Sequence, residues 1–546
     1  MKLSDEIKKF LKGEVYDDEA TLQAYSHDAS LFEVKPALVV APKDAKDIEA
    51  LVKFATKHEG VSLTPRSGGT DMSGGALTES VVVDMQKHLN HIKEVGGDFA
   101  VTEPGVYYRD FEAATLRKGL LLPSYPASRE MCTIGGMVAN NSGGEKTLAY
   151  GKTERYVSSL KAVLADGKTY ELRPLDGSEL KKKMASRTFE GRLYKGLYTL
   201  VTKNAELLKR AKPNVSKNSA GYYLWNVWDS EKKVFDITKL FVGSQGTLGI
   251  ATEVKFRLVK PKPYAKMLVL FLRDTGVLGE LAKTAVRFGP ESFESFDDNT
   301  LKLVFRYLPD LIKLIKPKNM FSLMLKFLPE AWMILTGGFP KLVMLLEFTG
   351  DSEAEALKKM QTAAAALKKF PVKMRLVKTD EEARKYWVMR RESFNLLRYH
   401  LKNKRTAPFI DDVVVRPELL PQFLPQLNAM LAPYKSLTYT IAGHVGDGNI
   451  HVIPLMDMRD PASRQIIPEL SKKVYDLVLK FGGSTTGEHN DGLIRTPYLE
   501  QMYGKEVYKL FQATKKLFDP KNIFNPGKKV DGDLDYAMEH LRTEQE

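Results

Sequence analysis

A single cysteine, Cys132, in 546 residues sets the first limits. It excludes a structural disulfide, a thiolate zinc site and an iron–sulfur cluster held by this chain alone. It also suits a reducing compartment. No run of about 18 apolar residues occurs, so no segment is expected to span a membrane. The opening stretch, MKLSDEIKKFLKGEVYDDEA, is interrupted by charge and has no signal-peptide core. Together these features predict a cytoplasmic protein. Neither a lysine-bearing phosphate loop nor GxGxxG is present, which removes the Rossmann reading. The net charge of +14 comes without a nucleic-acid module or a regular basic–aromatic platform. Nucleic acid is therefore not an expected partner, and the charge points to anionic lipid or a negatively charged substrate.

What is present is ordinary globular chemistry, 43% hydrophobic and 27% charged. The length exceeds one core and predicts two or three domains. Val39–Ala41 and Val81–Asp84 read as strands, Ala45–Lys57 as an amphipathic helix, and Leu160–Leu172 as a hairpin turning at Asp166–Gly167. Lys260–Pro263 (KPKP) is a stiff break. Beyond it, helices are expected near Glu280–Phe288 and Glu353–Lys369, with strands at Lys341–Phe348 and Asp412–Val415. The expected division is 1–33, 34–262, 263–480 and 481–546.

Three segments are dense in glycine and small residues: Pro65–Gly75 (PRSGGTDMSGG), Thr133–Gly144 (TIGGMVANNSGG) and Val242–Thr252 (VGSQGTLGIAT). Any one could be a surface turn. Three in one domain suggest a large, mostly backbone-bound cofactor carrying a diphosphate, because such loops turn N–H groups toward phosphate oxygens.

A different chemistry is written in Gly443–His451, GHVGDGNIH. Strand-type residues flank it, and Asp447–Gly448 is a strong two-residue turn signal. That turn pairs Gly446 with Asn449, Val445 with Ile450 and His444 with His451. The two imidazoles would then oppose each other with Cβ atoms roughly 4.5–5.5 Å apart. Gly487–His489 (GEH) offers a carboxylate and another imidazole on an open turn. Two His and one carboxylate can hold a catalytic metal with a position to spare. Hydrogen-bonded surface histidines remain the alternative.

These segments together with Tyr25–Ser30 (YSHDAS) and Asp519–Lys528 (DPKNIFNPGK) resemble the FAD-linked 2-hydroxy-acid dehydrogenases. That family includes the glycolate oxidase flavin subunit, D-lactate dehydrogenase and D-2-hydroxyglutarate dehydrogenase. The resemblance implies an α+β fold: an FAD-binding domain of the vanillyl-alcohol-oxidase (p-cresol methylhydroxylase) type at 34–262, and an antiparallel-sheet cap with helices at 263–480. The segment 481–546 would return to the flavin, and 1–33 would be helical. Pro65, Arg66, Ser67, Gly68, Gly69, Thr70, Asp71 and Ser73 would wrap the FAD diphosphate. Pro126, Thr133, Gly135, Gly136, Asn141 and Gly143 would line the flavin and its ribityl chain, with Ile250 and Asn525 near its ends. Thr70 stands where covalent relatives carry a flavin-bound histidine, so the FAD should be non-covalent.

By the same resemblance His444, His451 and Glu488 would be metal ligands, His489 the catalytic base and Arg390 of Trp387–Glu392 (WVMRRE) the clamp for the substrate carboxylate, with Arg391 its neighbour and competitor. Zinc suits the donors best, with manganese or iron as alternatives. The expected reaction oxidises a small D-2-hydroxy acid to its 2-oxo acid. Electrons would go to a quinone, an electron-transfer protein or an iron–sulfur subunit. Alternatives on the same fold are an O2-using oxidase and a non-redox enzyme of the alkyl-glycerone-phosphate synthase type.

There are departures. Relatives often read GEHGIG or GEHGVG, but here Asn490 and Asp491 replace the small–apolar pair. A lysine for a distal carboxylate has no secure counterpart, although Lys404 and Arg405 lie nearby. Finally, Leu301–Lys316 and Phe321–Leu335 form a basic, apolar stretch that could lie on anionic lipid at the inner face of a membrane. Packing on its own sheet is the alternative.

Overall fold

The computed structural model describes residues 2–307, 328, 332, 335, 338–400 and 403–543. Near the N-terminus, Leu38–Ala41, Val81–Asp84 and Leu63–Arg66 form parallel pairs, with Glu14–Tyr16 added antiparallel at the edge. Strands buried on both faces need continuous apolar sequence, and LVVA and VVVD supply it. The helix Ala45–Lys57 covers them with Ile48, Leu51, Val52 and Ala55. Asp44 caps that helix by accepting from the Lys46 and Asp47 amides.

A second, antiparallel sheet runs Ile92–Val95, Phe99–Thr102, Ile250–Arg257, Val157–Val163, Thr169–Leu172. Ile250–Arg257 alternates buried and partly exposed residues, the period-2 pattern of a one-sided sheet. Phe256 and Val254 share its core with Leu193 and Leu197 of the helix Phe189–Lys203 and with Phe511 and Phe518 of the helix Leu499–Phe518. The C-terminal chain comes back to the first sheet, where Leu63 bridges Phe524 in parallel.

Residues beyond the KPKP break build an eight-stranded antiparallel sheet. Tyr264–Leu272 sits inside it, with Leu342–Gly350 and Val372–Leu376 on either side. From Met267 to Leu272 its sequence is apolar because both faces are covered there. Leu268, Leu270 and Leu272 pack beneath the helices Leu278–Val286 and Glu353–Leu367. Met267, Val269 and Phe271 meet Tyr386 and Met389 of the helix Asp380–His400.

The histidine hairpin joins Thr438–His444 to Asn449–Met456, but its register differs from the expected one. His444 opposes Asn449, and His451 opposes Ala442. Val445–Asp447 forms a 3-10 turn that ends on Gly448 at φ +68°, so four residues close the hairpin instead of two. A β-carbon on Gly448 would overlap the Val415 carbonyl oxygen, which explains the glycine without a tight two-residue turn. The slip is two residues, so both imidazoles stay on the same face.

The proposed lipid-facing stretch lies largely outside the described residues. At its start, the helix Asp298–Arg306 docks Leu301 and Phe305 against the cap core. Lys302 pairs with Asp298 at 2.9 Å. Among the described residues, no helix is long and apolar enough to cross a membrane.

Candidate active site

Strand alternation decides which cap residues face inward. Thr440, Ala442 and His444, then His451 and Ile453, and Glu294 from Ser292–Asp297 all line one cavity of about 1040 Å³. Their sequence neighbours Ile441, Ile450, Val452 and Phe293 point into the core on the other side. The opposite wall of the cavity comes from all three glycine segments. Pro65, Arg66, Ser67, Gly68, Gly69, Thr70 and Asp71 line it, as do Pro126, Thr133, Gly135, Gly136 and Gly143. A β-carbon on Gly68 would stand 2.7 Å from Met131 O, so this loop must pass the wall closely.

Four residues expected at the cofactor stand behind that wall. Ser73 is buried against Asp71 and Gln245. Asn141, at φ +52°, trades hydrogen bonds with Glu154. Ile250 belongs to the core of the first sheet. Asn525 donates to Gly75 O at 2.7 Å and to Gln245 O at 2.6 Å, fastening two glycine loops from the rear. Arg66 lines the cavity, but two of its N–H groups go to the Tyr25 and His27 carbonyls, which orders the YSHDAS segment. In that segment burial, and then the nearby Asp71 carboxylate, push the Asp28 carboxyl up to about 7. A carboxyl that takes up a proton readily is the better neighbour for a diphosphate.

The hairpin and the GEH turn converge. Glu488 Oε1 lies 3.2 Å from His444 Nε2 and 3.5 Å from His451 Nε2. Donors bound to one tetrahedral ion at about 2.0–2.2 Å stand about 3.4 Å apart, so this donor set fits a single divalent metal. Each donor is itself oriented, as metal ligands usually are. Glu294 takes His444 Nδ1 at 2.6 Å, Asp411 takes His451 Nδ1 at 3.1 Å, and Lys217 holds the other Glu488 oxygen at 2.9 Å. The GEH turn is pinned by Asp412, whose Oδ2 accepts the Glu488 and His489 amides at 2.9 and 2.7 Å.

His489 stacks on His451 with ring centroids 5.1 Å apart, and its Nδ1 lies 2.8 Å from the second oxygen of Asp411. One carboxylate thus serves both imidazoles. Burial alone would raise Asp411, yet the two rings outweigh it and hold the carboxyl far below the usual range. Against the opposing effect of burial, Asp411 and Glu488 lift His451 to about 10. Glu294 raises His444, and Asp412 with Asp411 raise His489, again against burial. Asp411 and Asp412 also form overlapping three-residue donor sets with these histidines and Glu488. Both carboxylates are already engaged in orienting the rings and the turn.

Arg390 and Arg391 separate cleanly. Arg390 Nη2 is 3.2 Å from Glu294, beside the histidine cluster. Arg391 is turned to Glu145, which follows the second glycine segment, with Nη2 2.7 Å from both carboxylate oxygens. Lys404 reaches away to Ser436 O and Thr438, whereas Arg405 lines the cavity with Thr406. Asn490 and Asp491 are wholly buried. Lys529 donates to Asn490 Oδ1 at 2.7 Å and pairs with Asp491 at 2.8 Å. The unusual polar pair is therefore matched by a buried cation.

Residues 36–173 match the profile of an FAD binding domain, and residues 263–529 match that of the C-terminal domain of FAD linked oxidases. The chain is 30% identical to the glycolate oxidase subunit GlcD of Bacillus subtilis, over 94% of this chain and 93% of that protein. The chain belongs to the FAD-linked oxidases. It is also similar to the D-2-hydroxyglutarate dehydrogenase of Pseudomonas putida, at 29% identity over 95% of this chain. The chain spans about half the length of that relative, 50%. Among solved structures, p-cresol methylhydroxylase with substrate bound superposes with a TM-score of 0.67 at 16% identity, covering 95% of this chain and 94% of that one. This FAD-linked oxidase therefore has the p-cresol methylhydroxylase type of fold, with mixed helices and antiparallel sheets. Asp411, Lys217 and Glu294 were not foreseen from the sequence, and no local motif marks them.

Proposed function

We propose that this FAD-linked oxidase oxidises a small D-2-hydroxy acid to the 2-oxo acid, with non-covalent FAD and a divalent metal, and passes the electrons to a quinone or a partner protein. The observation that carries this reading is the meeting of His444 Nε2, His451 Nε2 and Glu488 Oε1 in the cavity that the glycine loops also line.

When bound, FAD supplies the acceptor for the Cα hydride, and a divalent ion supplies the Lewis acidity that makes the hydroxyl proton easier to remove. The remaining work belongs to the chain. Arg390 binds the substrate carboxylate through its planar fork, for which a lysine would be a poorer match. Asp411 engages Nδ1 of His489, leaving Nε2 to accept the hydroxyl proton as general base. Arg405 adds a second cation on the cavity wall, and a dicarboxylic hydroxy acid therefore belongs among the candidate substrates.

The test is anaerobic mixing of the yellow protein with D-lactate, glycolate and D-2-hydroxyglutarate in turn. Bleaching of the oxidised-flavin band by one of them supports the reaction and identifies the substrate. A flavin that stays oxidised with all three would refute the 2-hydroxy-acid reading.

A further inference from the structure

Glu488 offers one oxygen to the two imidazoles, and its other oxygen is occupied by a lysine from a distant part of the chain. Lys217 is completely buried. Its Nζ stands 2.9 Å from Glu488 Oε2, 3.4 Å from Asn449 Oδ1 and 3.8 Å from Asp447. Taking an ammonium out of water is strongly unfavourable unless its partners are well placed, so this position is specified closely. Its segment is tied to both halves of the donor cluster. Ser216 Oγ donates to Asp447 O of the hairpin turn at 2.8 Å, and the Ser219 amide donates to Thr486 O, just before GEH, at 2.9 Å.

Two more buried lysines hold the same turn. Lys152 Nζ donates to Gly487 O at 2.6 Å, and Lys529 reaches Asn490 and Asp491. None of the three belongs to the cap sheet that carries His444 and His451. A carboxylate without such a partner could rotate and present both oxygens to an ion.

We propose that Lys217 is a positioning residue of the metal centre: by holding Glu488 Oε2 it presents Oε1 alone, making Glu488 a one-oxygen ligand and leaving a coordination position open for substrate. This inference rests on the reading that His444, His451 and Glu488 bind a divalent ion. Two effects of the lysine oppose each other. Its positive charge repels a dication, while its hold on Glu488 pre-arranges the ligand. Loss of an outer partner of a metal ligand usually costs about 10–100-fold in affinity, so the second effect should dominate.

The experiment uses the full FAD-bound chain, stripped of metal and titrated with Zn2+ against a competing chelator dye. A parallel sample is loaded with Co2+ for its visible spectrum. Lys217→Met should bind Zn2+ about 10–100-fold more weakly. Its cobalt bands should change in intensity as a second carboxylate oxygen joins the ion, while FAD content stays at the wild-type level. Lys217→Gln, which keeps a neutral donor, gives the same test if the methionine variant does not accumulate as yellow protein; its loss should be smaller. Unchanged or tighter Zn2+ binding with an unchanged cobalt spectrum would overturn the proposal. Failure of the wild-type protein itself to take up metal would instead defeat the metal reading on which it rests.

Discussion

Asp411→Asn is the sharpest perturbation of the site, because one fully buried carboxylate faces two imidazoles for which different tasks are proposed. Its oxygens stand 3.1 Å from His451 Nδ1 and 2.8 Å from His489 Nδ1. With an ion in the proposed site and His489 neutral, a proton on Nδ1 of each ring would face Asp411 and leave each Nε2 lone pair available, one to the ion and one to the substrate proton. An asparagine accepts on one side only. Its NH2 group confronts the other Nδ1 and forces that ring into the opposite tautomer. If His489 is the ring affected, the general base is lost, which is worth about 10²–10⁴ in rate, or about 3–5 kcal/mol at 1.36 kcal/mol per decade. If His451 is affected, the loss falls on metal affinity, by about 10–100-fold. Anaerobic rapid mixing at saturating metal reads the first effect, and competition with a chelator dye reads the second. Wild-type flavin reduction together with wild-type metal affinity in Asp411→Asn would refute the shared-carboxylate reasoning.

Arg390→Met should lower flavin-reduction efficiency about 10–100-fold, the value of one charge-assisted contact to the substrate carboxylate. Arg391→Met, whose partner is Glu145, should change it by less than about fivefold, and comparable losses in the two variants would contradict the assignment. Metal affinity should rise with pH across the neutral range. His451 titrates at about 10 in the metal-free protein, so below that pH an ion must displace at least one proton, and Zn2+ titrations between pH 6 and 8 should tighten by about tenfold per unit. Acid precipitation should leave a colourless pellet and all the FAD in solution, because Thr70 has no imidazole with which to bond the flavin; a yellow pellet would place a covalent link elsewhere.

The three glycine segments were legible as lining of one cavity because close backbone approach to a ligand demands small residues, and PRSGG, TIGG and GSQG concentrate them. The meeting of His444, His451 and Glu488 was legible because two histidines on one face of a hairpin and a carboxylate between small residues are rarely grouped without use. The hairpin register was not. Asp447–Gly448 carries the local signal of a two-residue turn, but Lys217 and the Val415 carbonyl act on those residues from outside the hairpin, and tertiary packing overrides the local preference. The error was harmless to the site only because the slip was even. Buried cations were illegible for a related reason. Lys217 and Glu488 are 271 positions apart, and a lysine in SKNSAG looks no different from the many that face water.

The four expected cofactor residues that stand off the cavity follow from the same physics. A motif read as a line of letters treats every member as a contact, whereas a loop that wraps a ligand has two sides. Gly68 and Thr70 face the cavity; Ser73 and Asn525 face back and spend their polar atoms on neighbouring loops. Every buried polar group needs such a partner, and leaving one unmade costs about 1–3 kcal/mol. A family motif therefore records the scaffold of the loop as much as its ligand, and only the fold tells the two apart. Asn525 makes the case most plainly: both of its amide hydrogens go to loop carbonyls and its oxygen to Thr64. In the proposed FAD site its contribution would pass through the shape of the loops it holds.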